Sequence, residues 1–221
     1  VSSTSRGANR QDNDYYVTPV SDVVDFLCAW LKDEPSVLPR LTSGRVLDPC
    51  AGGNARPVTW EYKPGEHVRL PPTAMSYPEA IRKVVGRDPA DRVITNDIRA
   101  DSPAGMHLDF LGRDFIGELY LKGGEVDVVM TNPPFSRAME IIQRAHTLTA
   151  AGGYVVMLLR LNFFGSDKRF DFFRNNMPYR TYVHHKRMGF LPDGKTDSIE
   201  YMHAVWRVQD APITQTILRV I

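Results

Sequence analysis

The run Val126-Asp127-Val128-Val129-Met130 is apolar at nearly every position, and so is "YVVMLL" at 154–159. A strand with one wet face alternates apolar and polar residues. A strand that reads as a continuous apolar run is covered on both faces, which is the condition of a parallel sheet between two helical layers. Shorter strands read at "RVLDP" (45–49) and "DRVITNDI" (91–98), with a weaker one at "MHLDFL" (106–111). Between them lie segments of helical period. In 20–35 the apolar residues are Val20, Val23, Val24, Leu27, Trp30 and Leu31, with Pro35 as the stop. In 136–153 they are Ala138, Ile141, Ile142, Ala145 and Leu148, stopped by Gly152-Gly153. A further helix is expected in 78–86, and a short one in 166–176 capped by Ser166. Two consecutive strands near 180–190 and 200–208 suggest an antiparallel C-terminal edge. The fold class is therefore α/β: one doubly wound, mostly parallel, Rossmann-like sheet.

At 221 residues the chain suits one domain that buries its core without disulfides. We read 1–13 as a flexible lead-in and 14–221 as the domain, with a proline-rich insertion near 55–78. Cys28 and Cys50 show no metal-ligand spacing, so no metal is expected. No apolar run approaches the ~18 residues of a membrane span, and a cytoplasmic location is expected. The net charge of +1 does not advertise a nucleic-acid partner. The basic groups Arg82, Lys83, Arg87; Lys168, Arg169, Arg174; and Arg180, Lys186, Arg187 each read first as solvated surface.

In an open α/β sheet, ligands bind at the carboxyl ends of the strands. Two motifs fall there. "DPCAGG" follows the first strand, and its small residues let backbone approach a ligand. It is neither GxGxxG nor a Walker loop. Asp97 ends the second strand, where a carboxylate can accept both hydroxyls of a ribose. Asp109 and Phe110 end the third, where an acid and a ring suit an adenine. Together these describe a site for a nucleoside without phosphates.

The second motif, "NPPF" at 132–135, loses two backbone N–H groups in succession. Such a surface only accepts hydrogen bonds. That suits an exocyclic base amine, whose lone pair is delocalised until its two N–H groups are drawn to acceptors. The Asn132 side-chain oxygen and the Pro133 carbonyl are the acceptors. Pro134 removes a competing donor, and Phe135 can stack on the base.

"DPCAGG" and "TNPPF", with "YYVTP" upstream, resemble the S-adenosylmethionine-dependent DNA adenine-N6 methyltransferases, especially the small phage-type members. The resemblance spans roughly 14–208 and implies a seven-stranded sheet with a reversed last strand. It implies that S-adenosyl-L-methionine is the cofactor. Tyr16, Thr18 and Pro19 would close over its methionine part, and Asp48, Pro49, Cys50, Ala51, Gly52, Gly53 and Asn54 would bind that part. Asp97 would hold the ribose, while Ile98, Asp109 and Phe110 would hold the adenine. Asn132, Pro133, Pro134 and Phe135 would hold a flipped-out target adenine. The chain departs from the family between Gly53 and Asp97, where over forty residues replace a single helix.

The expected partner is double-stranded DNA, met by a monomer or weak homodimer. Candidate contacts are Arg160, Asn162, Phe163, Phe164, Lys168 and Arg169 after the fifth strand, and Lys195 in the turn "DGKT". The alternative packs both phenylalanines in the core. The alternative readings of this chain are an RNA base amino-methyltransferase (adenine-N6 or guanine-N2), a glutamine methyltransferase of release factors, or an inactive methyltransferase-like binding protein. Serine before Pro-Pro would have favoured cytosine-N4. Pro49-Cys50 matches a cytosine-C5 nucleophile only out of place. An inactive, binding-only relative would be expected to lose the asparagine or the glycines.

Overall fold

The computed structural model describes residues 17–63, 65–86, 92–190, 196, 199–209 and 211–221. Tyr16, Arg87, Lys195 and the lead-in 1–13 lie outside the described residues. The chain enters through helix α1 (Val20–Asp33) and a short α2 (Leu38–Thr42) before strand β1 (Val46–Asp48). The proline-rich stretch then folds as a hairpin, β2 (Val58–Lys63) and β3 (Glu66–Leu70), which stands apart from the main sheet. Next come α3 (Ser76–Val85), β4 (Val93–Thr95), α4 (Arg113–Leu121), β5 (Val126–Thr131), α5 (Ala138–Leu148) and β6 (Thr149–Arg160). The chain closes with α6 (Asp167–Asn175), β7 (Arg180–Val183), β8 (Tyr201–Arg207) and β9 (Ile217–Val220).

The main sheet has seven strands in the order β4-β1-β5-β6-β8-β7-β9. Only β8 runs against its neighbours, pairing antiparallel to both β6 and β7, while β9 pairs parallel to β7. The central strands are buried on both faces, and the layer each side chain meets alternates with the two-residue period of the strand. Val128 and Met130 of β5 face one layer with Phe26, Leu27 and Trp30 of α1 and Ile81 of α3. Val129 faces the other layer, with Phe115 of α4, Ile142 of α5 and Phe173 of α6. Each such large side chain contributes about 1.5–3 kcal/mol by leaving water. This is the doubly wound, mostly parallel sheet that the continuous apolar runs require.

Four details differ from the expectations. The strand expected at 106–111 is reduced to one parallel bridge, Asn96 to Met106. The Asn96 side chain replaces the next rung, accepting Leu108 N–H at 3.0 Å and donating to Leu108 O at 3.0 Å. The expected antiparallel pairing at the C-terminal side is present in β6-β8-β7, and the seventh strand is β9, which adds parallel to β7 beyond it. Gly152 and Gly153 do not stop α5, which ends at Leu148. They sit in a register shift of β6, where a side chain at Gly153 would meet Asp127 O at 2.5 Å. Ser166 occupies the cap position of α6 without a capping hydroxyl bond, because Arg169 N–H goes to its backbone carbonyl at 3.0 Å.

Candidate active site

Strands β4, β1 and β5 are neighbours, and their carboxyl ends carry Asn96-Asp97, the glycine loop and Asn132 respectively. β1 is where the chain order reverses, which is where an open α/β sheet forms a crevice. A cavity of about 450 Å³ opens there, within the usual range of small-molecule sites. It is lined by Pro49, Cys50, Ala51, Gly52 and Gly53 of the loop; by Asp97, Ile98, Asp109 and Phe110; and by Thr18, Asn132 and Pro134.

The loop is held open by its own backbone bonds. Gly52 and Gly53 have φ of 66° and 74°, the left-handed region that glycine adopts without strain. Gly52 N–H donates to Asp97 Oδ2 at 2.8 Å, and Ser102 Oγ donates to Gly52 O at 2.5 Å. The Arg99 guanidinium donates to Gly53 O at 2.6 Å and to Asn54 Oδ1 at 3.2 Å, and pairs with Asp97 Oδ1 at 3.3 Å. A Cβ at Gly53 would lie 2.9 Å from Thr73 O and 3.0 Å from Pro103 Cγ. Gly53→Ala is therefore expected to cost about 1–3 kcal/mol in a urea titration, from left-handed strain and the clash together. An unchanged midpoint would mean that the loop is slack.

Asp48, fully buried, joins β1 to β5. Its Oδ1 accepts Thr131 Oγ1 at 2.7 Å and Cys50 N–H at 3.3 Å. Its Oδ2 is buried without a partner. Burial pushes its carboxyl up to about 7, against the pull of those two donors. Desolvation at the cavity wall, with Asp48 and Asp97 beside it, also pushes the Cys50 thiol up. A thiol so raised does not supply the thiolate that a Pro-Cys nucleophile needs.

Asn132 follows β5 and meets the segment ahead of α1. Its Nδ2 donates to Thr18 Oγ1 at 3.0 Å, while its Oδ1 is buried and has no partner. Ser76 Oγ, in the first turn of α3, donates to Thr18 O at 2.6 Å. Ile98, at 55 % exposure, forms an apolar lip on the cavity.

Several expected residues have other surroundings. Asn54 bridges to Thr73 and receives Arg99, and it does not line the cavity; nor does Pro19, which precedes α1. Pro133 is buried behind Pro134. The Phe135 ring also lies outside the cavity lining, with the Arg160 guanidinium 4.5 Å from its centroid and Tyr201 at 5.9 Å. Phe163 and Phe164 pack on Phe173 at 6.0 and 5.1 Å, so these rings face the core. Arg169 donates to Phe163 O at 2.7 Å and lies over its ring. Lys168 and Asn162 are exposed. Residues not anticipated are Arg99 and Ser102, which pin the loop, and Ser76, Asn96 and Tyr77. Their signal was position beside the expected ligand-binding Asp97, before it for Asn96 and after it for Arg99 and Ser102, or at the start of α3 for Ser76 and Tyr77.

No protein-family model and no curated protein sequence matches the chain. Solved structures do resemble it. One, provisionally assigned as a class I S-adenosylmethionine-dependent methyltransferase from Listeria monocytogenes, is 16 % identical. It aligns with 97 % of this chain and 68 % of its own, at a TM-score of 0.54. A modification subunit of a provisionally assigned type I restriction enzyme from Vibrio vulnificus is 15 % identical, covering 95 % of this chain and 48 % of its own, at 0.53. A protein provisionally named a haemolysin from Lactococcus lactis is 9 % identical, covering 93 % and 94 %, at 0.51. The chain thus spans about half the length of the modification subunit. Likeness at these identities establishes the fold, and proteins with different names share it.

Proposed function

We propose that the chain is a methyltransferase that moves the methyl group of S-adenosyl-L-methionine to the N6 amine of an adenine in DNA. The observation that carries this reading is the Asn132 side chain, whose oxygen is a buried acceptor without a partner beside the glycine-loop cavity. A buried carbonyl left unpaired costs about 1–3 kcal/mol, so it is ordinarily satisfied by something that binds.

The residues present fit the cofactor. Asp48 Oδ2 is a buried acceptor without a partner, but Asp48 itself does not line the cavity, which begins at the adjacent Pro49, so its proposed contact with an ammonium group requires the loop to shift. The φ-positive glycines leave room for a ligand against backbone, and Ile98 offers an apolar surface to a base. Asp109 is exposed and lines the same cavity, where it can accept hydrogen bonds from an adenine amine. Asp97 is committed to Gly52 and Arg99, so its proposed contact with a ribose uses its remaining lone pairs. When bound, the cofactor supplies a methyl group on a positively charged sulfur.

The chain's own contribution is to the amine. Asn132 Oδ1 accepts one N–H, drawing the nitrogen lone pair out of conjugation. Pro133 and Pro134 present no backbone N–H, so no donor competes for that lone pair. The Pro133 carbonyl is the proposed second acceptor. Phe135, backed by Arg160 and Tyr201, would bound the target on one side. Lys168 and Asn162 remain the proposed phosphate contacts, and the type I modification subunit among the structural neighbours supports a DNA substrate.

The test is transfer of tritiated methyl from S-adenosylmethionine to duplex DNA, RNA and protein, followed by nucleoside analysis. N6-methyladenine in DNA is the expected product. Label found only in RNA or protein, or no label with any acceptor, would overturn the reading.

A further inference from the structure

The Asn132 amide has two ends alike in shape and opposite in chemistry: one accepts hydrogen bonds and the other donates. A half-turn of that amide would present a donor to the substrate. The choice is made outside the cavity's reacting groups. Thr18 is 4 % exposed, and its Oγ1 takes the Asn132 Nδ2 donor at 3.0 Å. Thr18 is itself held by Ser76, whose hydroxyl reaches its carbonyl at 2.6 Å in a buried contact. Ser76 stands at the start of α3, and the adjacent Tyr77 is tied to β8 through His203 at 3.0 Å. An uninterrupted path thus runs from β8 through α3 and Thr18 to the amide.

We infer that Thr18, braced by Ser76, is a positioning residue that orients the Asn132 amide with its oxygen toward the target amine. This role differs from closing over the cofactor, and it rests on the proposed reading of Asn132 as acceptor. In the alternative orientation the Thr18 hydroxyl would have to turn its own proton to Asn132 Oδ1, and an N–H would meet the substrate N–H, so the amide spectrum of the wild type is what distinguishes the two orientations.

Two measurements test it. In ligand-free, 15N-labelled protein, the Asn132 side-chain amide pair is assigned by its disappearance in Asn132→Asp. Wild type is expected to give two sharp signals with slow solvent exchange. Thr18→Val keeps the shape and removes the acceptor, so the signals should broaden and exchange about 10-fold faster, the loss of one hydrogen bond. Thr18→Ser should restore them, and Ser76→Ala should move them less in the same direction. In the transfer assay Thr18→Val should lower kcat about 10-fold and leave cofactor Kd within about 2-fold. Unchanged amide signals in Thr18→Val would overturn the inference. So would weakened cofactor binding with kcat retained, which would make Thr18 a cofactor lid alone. If wild type methylates no DNA, the functional reading falls, while the amide spectrum still decides whether Thr18 orients Asn132.

Discussion

Asn132→Ala is expected to lower methyl transfer on the order of 10²–10³-fold, the usual effect of removing one preorganised polar group from a reacting centre. Cofactor affinity should stay within about 2-fold, because the proposed cofactor contacts come from β1, β4 and the loop after them. The variant removes the unpaired Oδ1 and frees Thr18 Oγ1, whose bond it also deletes. Stability should change little or rise, since an unsatisfied buried carbonyl disappears with the side chain. Calorimetric titration with S-adenosylmethionine and single-turnover transfer separate the two effects. Equal loss of both would place Asn132 in the cofactor site and remove the reason for reading it as the amine's acceptor.

The parts of this site that could be read from sequence are those where chemistry and position coincide. Two prolines after an asparagine at a strand end state an acceptor-only surface, and the structure puts that asparagine on a cavity with the glycine loop. Continuous apolar runs in β5 and β6 state two-sided burial. What escaped was whatever depended on tertiary partners. Helix α4 was hidden because Tyr120 and Leu121 are apolar yet exposed, blurring the period of Phe115 and Leu119. Strand β9 was hidden because Ile217, Leu218 and Val220 are exposed and do not alternate. The 106–111 strand failed because the Asn96 amide replaces a backbone rung. For Phe163 and Phe164, sequence offered two surroundings, and Phe173 on α6 decided for the core. The bond from Asn132 to Thr18 links residues 114 positions apart, and no local pattern encodes it.

Acid is expected to unfold this chain through its buried histidines. His203 is fully buried on β8, stacked on Phe26 at 4.1 Å and bonded to Tyr77 and, at 2.8 Å, to His184. Burial holds His203 well below its ordinary value, reinforced by His184, and lowers His184 to about 4. In the unfolded chain each titrates near 6.5. Between about pH 6.5 and 4 the unfolded state therefore binds protons that the folded state refuses, so stability falls as pH falls, by about 1.4 kcal/mol per histidine per pH unit. Asp48 acts in the opposite sense. Its folded value of about 7 lies above the unfolded carboxylate value. Over about pH 4–7 the folded state keeps a proton that the unfolded state has lost, and this contribution fades as pH rises. For these three groups alone, two histidines against one aspartate give a net loss of roughly 1.4 kcal/mol per unit on acidification; burial of His146 adds in the same sense and burial of Asp22 opposes it. Asp48→Asn removes one opposing group, so its slope should steepen to roughly twice that. Urea titrations at half-unit steps from pH 7 to 4.5 measure both slopes. A wild-type stability that is flat or rises toward pH 4.5, with the same behaviour in Asp48→Asn, would mean that the His184–His203 pair takes up protons without unfolding, and so is less sealed than its packing indicates.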